Sequence, residues 1–304
     1  MIRERTVAQG ELRMDAHPGH SVRALEPHQR KDLQQLEKRL LRKLGATIRE
    51  HQLIQADDHI MVALSGGKDS YALLVLLERF RRKKILPFTL TVAHLDQAQP
   101  GYDGAPLRNW LDEQGFAYHI LRQDTYSVVV DKVEAGKTFC SLCSRLRRGA
   151  LYAAAKNIGC NAIALGHHRD DASETLLLNL FYSGQLKSMP VRLCSDDGAH
   201  VVLRPMMGIA EADLKTYADL MGFPILPCNL CGSQEGLKRV RMKQLLKALT
   251  DENEKVPGNI AAALANVRPS HLHDVELMQV WAERPEGIRP WPGAADRGGI
   301  RVER

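Results

Sequence analysis

Apolar positions recur along this chain with two distinct periods. Between Glu26 and about Gln55, Leu33, Leu36, Leu40, Leu41 and Leu44 form a stripe at helical spacing among charged residues, which predicts an amphipathic helix or a pair of them. A neighbouring basic face holds Lys31, Lys38, Arg39, Arg42 and Lys43, read either as a solvated surface or as an RNA-contacting arm. His59 to Leu64 is short, apolar and rich in strand formers, and Tyr71 to Phe80 returns to helical spacing at Leu73, Leu74, Leu77 and Phe80. The alternation continues. Pro87 to His94 reads as a buried strand, Leu107 to Gln114 as a helix and Ala117 to Leu121 as a third strand. Asn161 to Leu165 reads as a fourth, followed by a helix through Phe181. Repeated strand–helix units predict an α/β fold, an open parallel sheet with helices on both faces, here with an N-terminal helical extension. The expected organisation is disorder over 1–25, a helical region over 26–56, the sheet domain over 57–250, a C-terminal helical region over 251–280 and a disordered tail over 281–304.

Composition narrows the class. With 304 residues, 44% apolar and 26% charged, the chain is that of a soluble globular protein able to bury a sizeable core. No stretch approaches the ~20 apolar residues of a membrane span, so no membrane partner is expected. The start is charged (Arg3, Glu4, Arg5) and has no apolar export segment, which predicts a cytoplasmic location. Thiols stay reduced there, so six cysteines point to metal binding or catalysis more than to disulfides. A net charge of +6 and a pI near 9.0 fit a polyanionic partner without requiring one.

The densest chemistry lies in Ser65-Gly66-Gly67-Lys68-Asp69-Ser70, between the first strand and its helix. Glycines let the backbone turn sharply and present N–H groups to a ligand. The helix N-terminus favours an anion, and Ser65, Lys68 and Ser70 add donors. The spacing is not that of a Walker A loop. It predicts an ATP site all the same.

In open α/β sheets ligands bind beyond the carboxyl ends of the strands, and Ser65, Asp96 and His167 all fall at such ends. Asp96 is read either as a ribose or adenosine contact or as a cap for the loop after it. Gly166-His167-His168-Arg169-Asp170-Asp171, with Glu174 one turn on, opens the next helix. Asp171 and Glu174 share a helix face and are candidates for a metal–phosphate, because ATP arrives with Mg²⁺, which takes oxygen ligands. The other reading of such acidic residues is helix capping.

Two C-x-x-C pairs remain, Cys140-Ser-Leu-Cys143 and Cys228-Asn-Leu-Cys231. They are compatible with a zinc site, an iron–sulfur cluster or a redox dithiol, and their spacing does not choose among these. Cys160 and Cys194 stand apart. Basic runs follow each pair: Arg145, Arg147 and Arg148 after the first, Lys238, Arg239, Arg241 and Lys243 after the second. They are candidate phosphate contacts for a single-stranded RNA loop, each weighed against a solvated helix surface. Lys137 is a candidate for ATP or RNA, and Phe139, Tyr182 and Phe223 are the few aromatic candidates for base stacking, read more as core.

The hexamer Ser65–Ser70 resembles the pyrophosphate loop of the ATP-pyrophosphatase (PP-loop) superfamily, whose fold is that of the adenine nucleotide alpha-hydrolases. Four motifs then occur in order: Ser-Gly-Gly-Lys-Asp-Ser, Lys-Thr-Phe-Cys-Ser-Leu-Cys-Ser-Arg-Leu-Arg-Arg-Gly, Gly-His-His-Arg-Asp-Asp and Pro-Cys-Asn-Leu-Cys-Gly-Ser-Gln. Together they resemble the tRNA 2-thiocytidine biosynthesis (TtcA) family over roughly Glu26 to His273. That resemblance implies a cytoplasmic, homodimeric enzyme that thiolates cytidine 32 of the tRNA anticodon loop. It implies ATP, Mg²⁺ and a 4Fe-4S cluster as cofactors, and sulfur drawn from cysteine through a cysteine desulfurase. Motif by motif, the cluster ligands fall on Cys140, Cys143 and Cys231, with Cys228 also in a family-like position. ATP falls to Ser65, Gly66, Gly67, Lys68, Asp69, Ser70, Asp96, Gly166, His167 and Asp171, with Asp69 and Asp171 as Mg²⁺ candidates. Lys68, Asp69 and the three ligand cysteines are the expected catalytic set.

Overall fold

The computed structural model of the chain describes residues 3–5, 25–132, 140–195, 198, 200–226 and 235–283. They divide into two compact units, 1–248 and 249–304. The first is built on a seven-stranded sheet of β1 (Arg3–Arg5), β2 (Asp58–Ala63), β3 (Phe88–Asp96), β4 (Tyr118–Arg122), β5 (Ala162–Ala164), β6 (Arg192–Cys194) and β7 (Val201–Leu203). Their spatial order is β1-β4-β3-β2-β5-β7-β6. The inner pairs β4–β3, β3–β2, β2–β5 and β5–β7 are parallel. The two edge strands are antiparallel, so the sheet is the expected parallel one in its interior and mixed at its margins. Arg3–Arg5 also gives regular structure to part of a stretch that has no sequence period.

The period-two alternation of β2 sorts the core. Ile60, Val62 and Leu64 enter one apolar cluster, with Ala162 and Ala164 of β5. Met61 faces the other way, with Ile163 and Ala93. Helices cover both faces, as expected. The first cluster takes in α1 (Pro27–Glu50), α2 (Lys68–Arg82), α3 (Ala105–Gln114) and α7 (Glu211–Met221). The second takes in α5 (Cys140–Ile158), which follows the short α4 (Thr125–Lys132).

The leucine stripe of α1 forms part of the first cluster: Leu40 and Leu44 are fully buried. Glu37 joins Arg79 of α2 and accepts a bond from the Tyr217 hydroxyl of α7 at 3.0 Å. Arg39 and Lys43 both bind Asp213 of α7, at 2.8 and 3.1 Å. This helix therefore packs within the sheet unit, and two cations of its basic face are occupied in holding it there. After α6 (Arg169–Ser183), α8 (Glu235–Glu252) spans the division between the units. The second unit continues with α9 (Val256–Leu264), a short 3₁₀ turn and α10 (Val275–Ala282). No described helix is long and apolar enough to cross a membrane.

Candidate active site

β2 and β5 are neighbours whose connections run to opposite sides, so strand order reverses between them, where α/β sheets bind ligands. A crevice of about 290 Å³ opens at that point. Its floor is the loop after β2. Gly66 adopts φ +85°, and a Cβ there would lie 2.8 Å from Leu226 Cδ1, so the turn requires glycine. Ser70 Oγ donates to Gly67 O at 2.8 Å and accepts from Ser65 N at 3.2 Å, closing the loop onto the first turn of α2. Gly166, at the end of β5, would press a Cβ to 3.1 Å from the Asp69 carbonyl and Ser70 nitrogen. The glycine of Gly-His-His is what lets the end of β5 approach the first turn of α2.

The structure brings Ser65, Gly67, Asp69, Ser70, Gly166, His167 and Asp171 together on the crevice wall. Gly66 completes the loop, and Lys68 lies beside them at the helix start. Lys68 Nζ contacts both Asp69 oxygens, at 3.0 and 2.9 Å, and Glu211 Oε1 at 3.3 Å. Burial pulls the ammonium pKa down, but the bonds to Asp69 and Glu211 outweigh it, so the net direction is up and Lys68 is a cation at neutral pH.

Asp171 serves first as a capping partner. Its carboxylate accepts from His168 N at 3.0 Å, and its own N–H donates to His168 Nδ1 at 3.4 Å. Asp96 accepts from Ala98 N at 3.0 Å, as a cap for the loop after it would, and the next residue, Gln97, lines the crevice. Among the described residues no group of three His, Cys, Asp or Glu is placed to hold a metal ion.

Several neighbours escaped the motifs. Glu211 receives Lys243 of α8 at 2.7 Å as well as Lys68, and its backbone N–H donates to Asp170 at 2.7 Å. Arg204, one residue beyond β7, donates from Nε to His167 Nδ1 at 3.3 Å. Burial, with Arg204 reinforcing it, lowers the His167 pKa to about 4. The rule that ligands gather at strand ends points to Arg204 once β7 is recognised, whereas no local signal marks Glu211.

Of the expected RNA-binding cations, Arg145 and Arg148 are exposed, while Arg147 lines the crevice. Arg239 pairs with Glu174 at 3.4 Å, and Lys238 sits over the Tyr182 ring at 4.7 Å. Both are thus engaged within the fold, as is Phe223, buried and stacked on Tyr71. Glu174 is turned to Arg239 rather than joined with Asp171. Burial pushes its carboxyl up to about 7, against the opposing pull of Arg239.

The sign of that shift is testable. A carboxyl held above its ordinary 4.5 keeps a proton in the folded state that the unfolded chain releases, so its contribution to stability is full below pH 4.5 and is lost as pH rises through 7. Glu174→Gln, which mimics the protonated acid, is expected to leave melting unchanged at pH 5. It should stabilise the protein by about 1–3 kcal/mol at pH 8. Thermal unfolding at both pH values checks this, and equal changes at the two would contradict it.

Cys143 lies in the first turns of α5, half-buried, its thiol 3.6 Å from Gln97 Oε1 at the crevice. Cys140 begins the helix one turn earlier. The side chain of Cys140 and all of Lys137, Phe139, Cys228 and Cys231 lie outside the described residues. The chain on either side of the second pair is described, and it is anchored to the site. Leu226 N donates to Gly66 O at 2.9 Å, and α8 is tied back through Arg239–Glu174 and Lys243–Glu211. Cys160 is buried in the second apolar cluster, and Cys194 is exposed on β6.

A PP-loop domain model matches residues 33–225. The tRNA-cytidine(32) 2-sulfurtransferase of Coxiella burnetii (strain CbuG_Q212) is 50% identical over 242 residues, 80% of this chain and 94% of that protein. The protein of the same name from Anaeromyxobacter sp. (strain K) is 51% identical over 264 residues, covering 87% and 90%. Among solved structures, the U34-tRNA thiolase NcsA from Methanococcus maripaludis, with its 4Fe-4S cluster, superposes with a TM-score of 0.61 over 77% of this chain and 80% of its own, at 20% identity. That likeness is one of fold. With half its residues shared along most of both lengths, the chain belongs to the PP-loop tRNA-cytidine(32) 2-sulfurtransferase family.

Proposed function

We propose that this protein is an ATP-dependent tRNA sulfurtransferase that converts cytidine 32 of the anticodon loop to 2-thiocytidine. One observation carries the reading beyond family membership: a phosphate-binding loop and Cys143 of the first cysteine pair are drawn to one crevice. Cys143 reaches it through Gln97, and the chain leaves the Leu226–Gly66 bond two residues before Cys228.

The chemistry needs both halves. Cytidine's C2 carbonyl is a weak electrophile with a poor leaving group. Its oxygen attacks the α-phosphorus of ATP, the α–β phosphoanhydride bond breaks, and pyrophosphate departs. A sulfide equivalent then adds at C2, the C2–O bond breaks, and AMP leaves with the original oxygen. Ser65, Gly67, Ser70 and the α2 N-terminus hold phosphate oxygens, and Lys68 balances the charge that develops on pyrophosphate. Asp69 and Asp171, both on the crevice wall, would be the oxygen donors for Mg²⁺.

Soft thiolate donors fit iron–sulfur chemistry and not a hard cation. Cys140 and Cys143, one helical turn apart, together with Cys231, would hold a 4Fe-4S cluster. When bound, such a cluster supplies an iron with one coordination position open. Arg147 lines the crevice, Arg145 and Arg148 are exposed on the same helix as Cys143, and the three would meet the RNA backbone. A tRNA substrate implies a cytoplasmic enzyme; the homodimer and the cysteine desulfurase rest on the family resemblance alone.

The test is an anaerobic assay with purified protein, tRNA, ATP, Mg²⁺ and sulfide, following AMP by chromatography and residue 32 by mass spectrometry. Expected are AMP release that depends on tRNA and a gain of one sulfur for one oxygen at cytidine 32. Sulfur at a uridine instead, or AMP without tRNA, would overturn the substrate assignment.

A further inference from the structure

We infer that Arg204 is a positioning residue that fixes His167 as the Nε2–H tautomer, so that the imidazole meets the contents of the crevice as a hydrogen-bond donor. A guanidinium can only donate, so the nitrogen it faces must offer a lone pair. Arg204 Nε lies 3.3 Å from His167 Nδ1. Nδ1 is therefore bare, and the single proton of the neutral ring sits on Nε2.

The arrangement is held from both sides. Arg204 Nη1 donates to Pro190 O at 2.7 Å, and Arg204 N donates to Val191 O at 2.9 Å. Beneath it, Leu203 accepts from Leu165 N at 2.9 Å and is in register with Ala164, so β7 delivers Arg204 beside the end of β5. Arg204 is only 9% exposed, and among the described residues no carboxylate forms an ion pair with it. A buried cation without a counter-charge is costly, and its hydrogen bonds serve to orient a ring that lines the crevice. Such orientation of a histidine through its second nitrogen is a general way to fix which nitrogen carries the proton.

What the donor meets rests on the ATP reading of the crevice, whereas the tautomer does not. The experiment separates them. In protein labelled with ¹⁵N-histidine, long-range proton–nitrogen correlation spectra report each ring nitrogen, and subtraction of a His167→Gln spectrum assigns this ring among the twelve histidines. The wild type is expected to show a bare, pyridine-type Nδ1 and a protonated Nε2 at pH 7. Arg204→Met should release the ring to a mixture of tautomers and lower tRNA-dependent AMP formation about tenfold, the scale of one misplaced hydrogen bond. Arg204→Lys, which keeps a donor, should recover part of both. A protonated Nδ1 in the wild type overturns the inference even if Arg204→Met fails to fold, and so does an unchanged His167 spectrum in a folded Arg204→Met protein. A wild type that makes no AMP yet shows a bare Nδ1 supports the inference and sinks the ATP reading instead.

Discussion

Cys143→Ala is expected to abolish 2-thiocytidine formation while leaving the melting temperature close to that of the wild type. The two readouts separate because this thiol is not core. It is half-buried in the first turns of α5 and directed at Gln97 on the crevice wall, so truncation opens no large cavity. The two cysteines outside the pairs supply the contrast. Cys160 is 4% exposed among Ala154, Ala155 and Ile163, and burial raises its thiol pKa to about 11, which keeps it a thiol at neutral pH. Cys160→Ala should therefore cost stability and keep activity. Cys194, exposed on the antiparallel edge strand, should tolerate alanine in both respects. Iron and acid-labile sulfide are measured on each anaerobically purified variant, with thiolation read by mass spectrometry of tRNA from a deletion strain carrying it. Normal thiolation with Cys143→Ala, or equal loss with Cys194→Ala, would sink the assignment of the first cysteine pair to the reaction centre.

The parts of this site that were legible in the sequence are those whose physics is local. Ser65–Ser70 announces a strand-to-helix turn through its own glycines, and Gly166 is recognisable from its place between an apolar strand and a charged helix start. The leucine stripe of α1 gives the helix but not its partner, because nothing in the stripe reveals that Arg39 and Lys43 meet Asp213, 174 and 170 residues away. Edge strand β6 and its inner neighbour β7 have three residues each, too short to display a period, and their register depends on the rest of the sheet. Glu211 and Arg204 act only through contacts that the fold creates. Charge runs are silent in the same way: nothing in Lys238 and Arg239 reveals that Tyr182 and Glu174 engage them from another helix. Asp96 illustrates the remaining ambiguity, since a carboxylate at a strand end is equally suited to a ligand and to the backbone N–H two residues on.

Lys68→Ala is expected to lower kcat/KM for tRNA-dependent AMP formation by about 10²–10³-fold, the scale of losing one preorganised donor to a charge that develops in the transition state. The surroundings of Lys68 make the loss larger than that of a single surface cation. Its ammonium stands between Asp69 and Glu211 at 2.9–3.3 Å. Without it, those two carboxylates would face incoming phosphates with their charge unopposed on that side, which penalises ground-state binding as well. KM for ATP should rise and kcat should fall together. Lys68→Arg is not expected to rescue, because a planar fork cannot occupy the place of a compact ammonium held by two acids. Lys156→Ala, in the exposed last turn of α5, changes the net charge equally and should leave both constants unaltered, so an effect of bulk charge would appear there too. AMP formation by Lys68→Ala at the wild-type rate would remove the phosphate loop from the chemistry. A rise in KM alone would recast Lys68 as an anchor for the bound nucleotide with no part in bond cleavage.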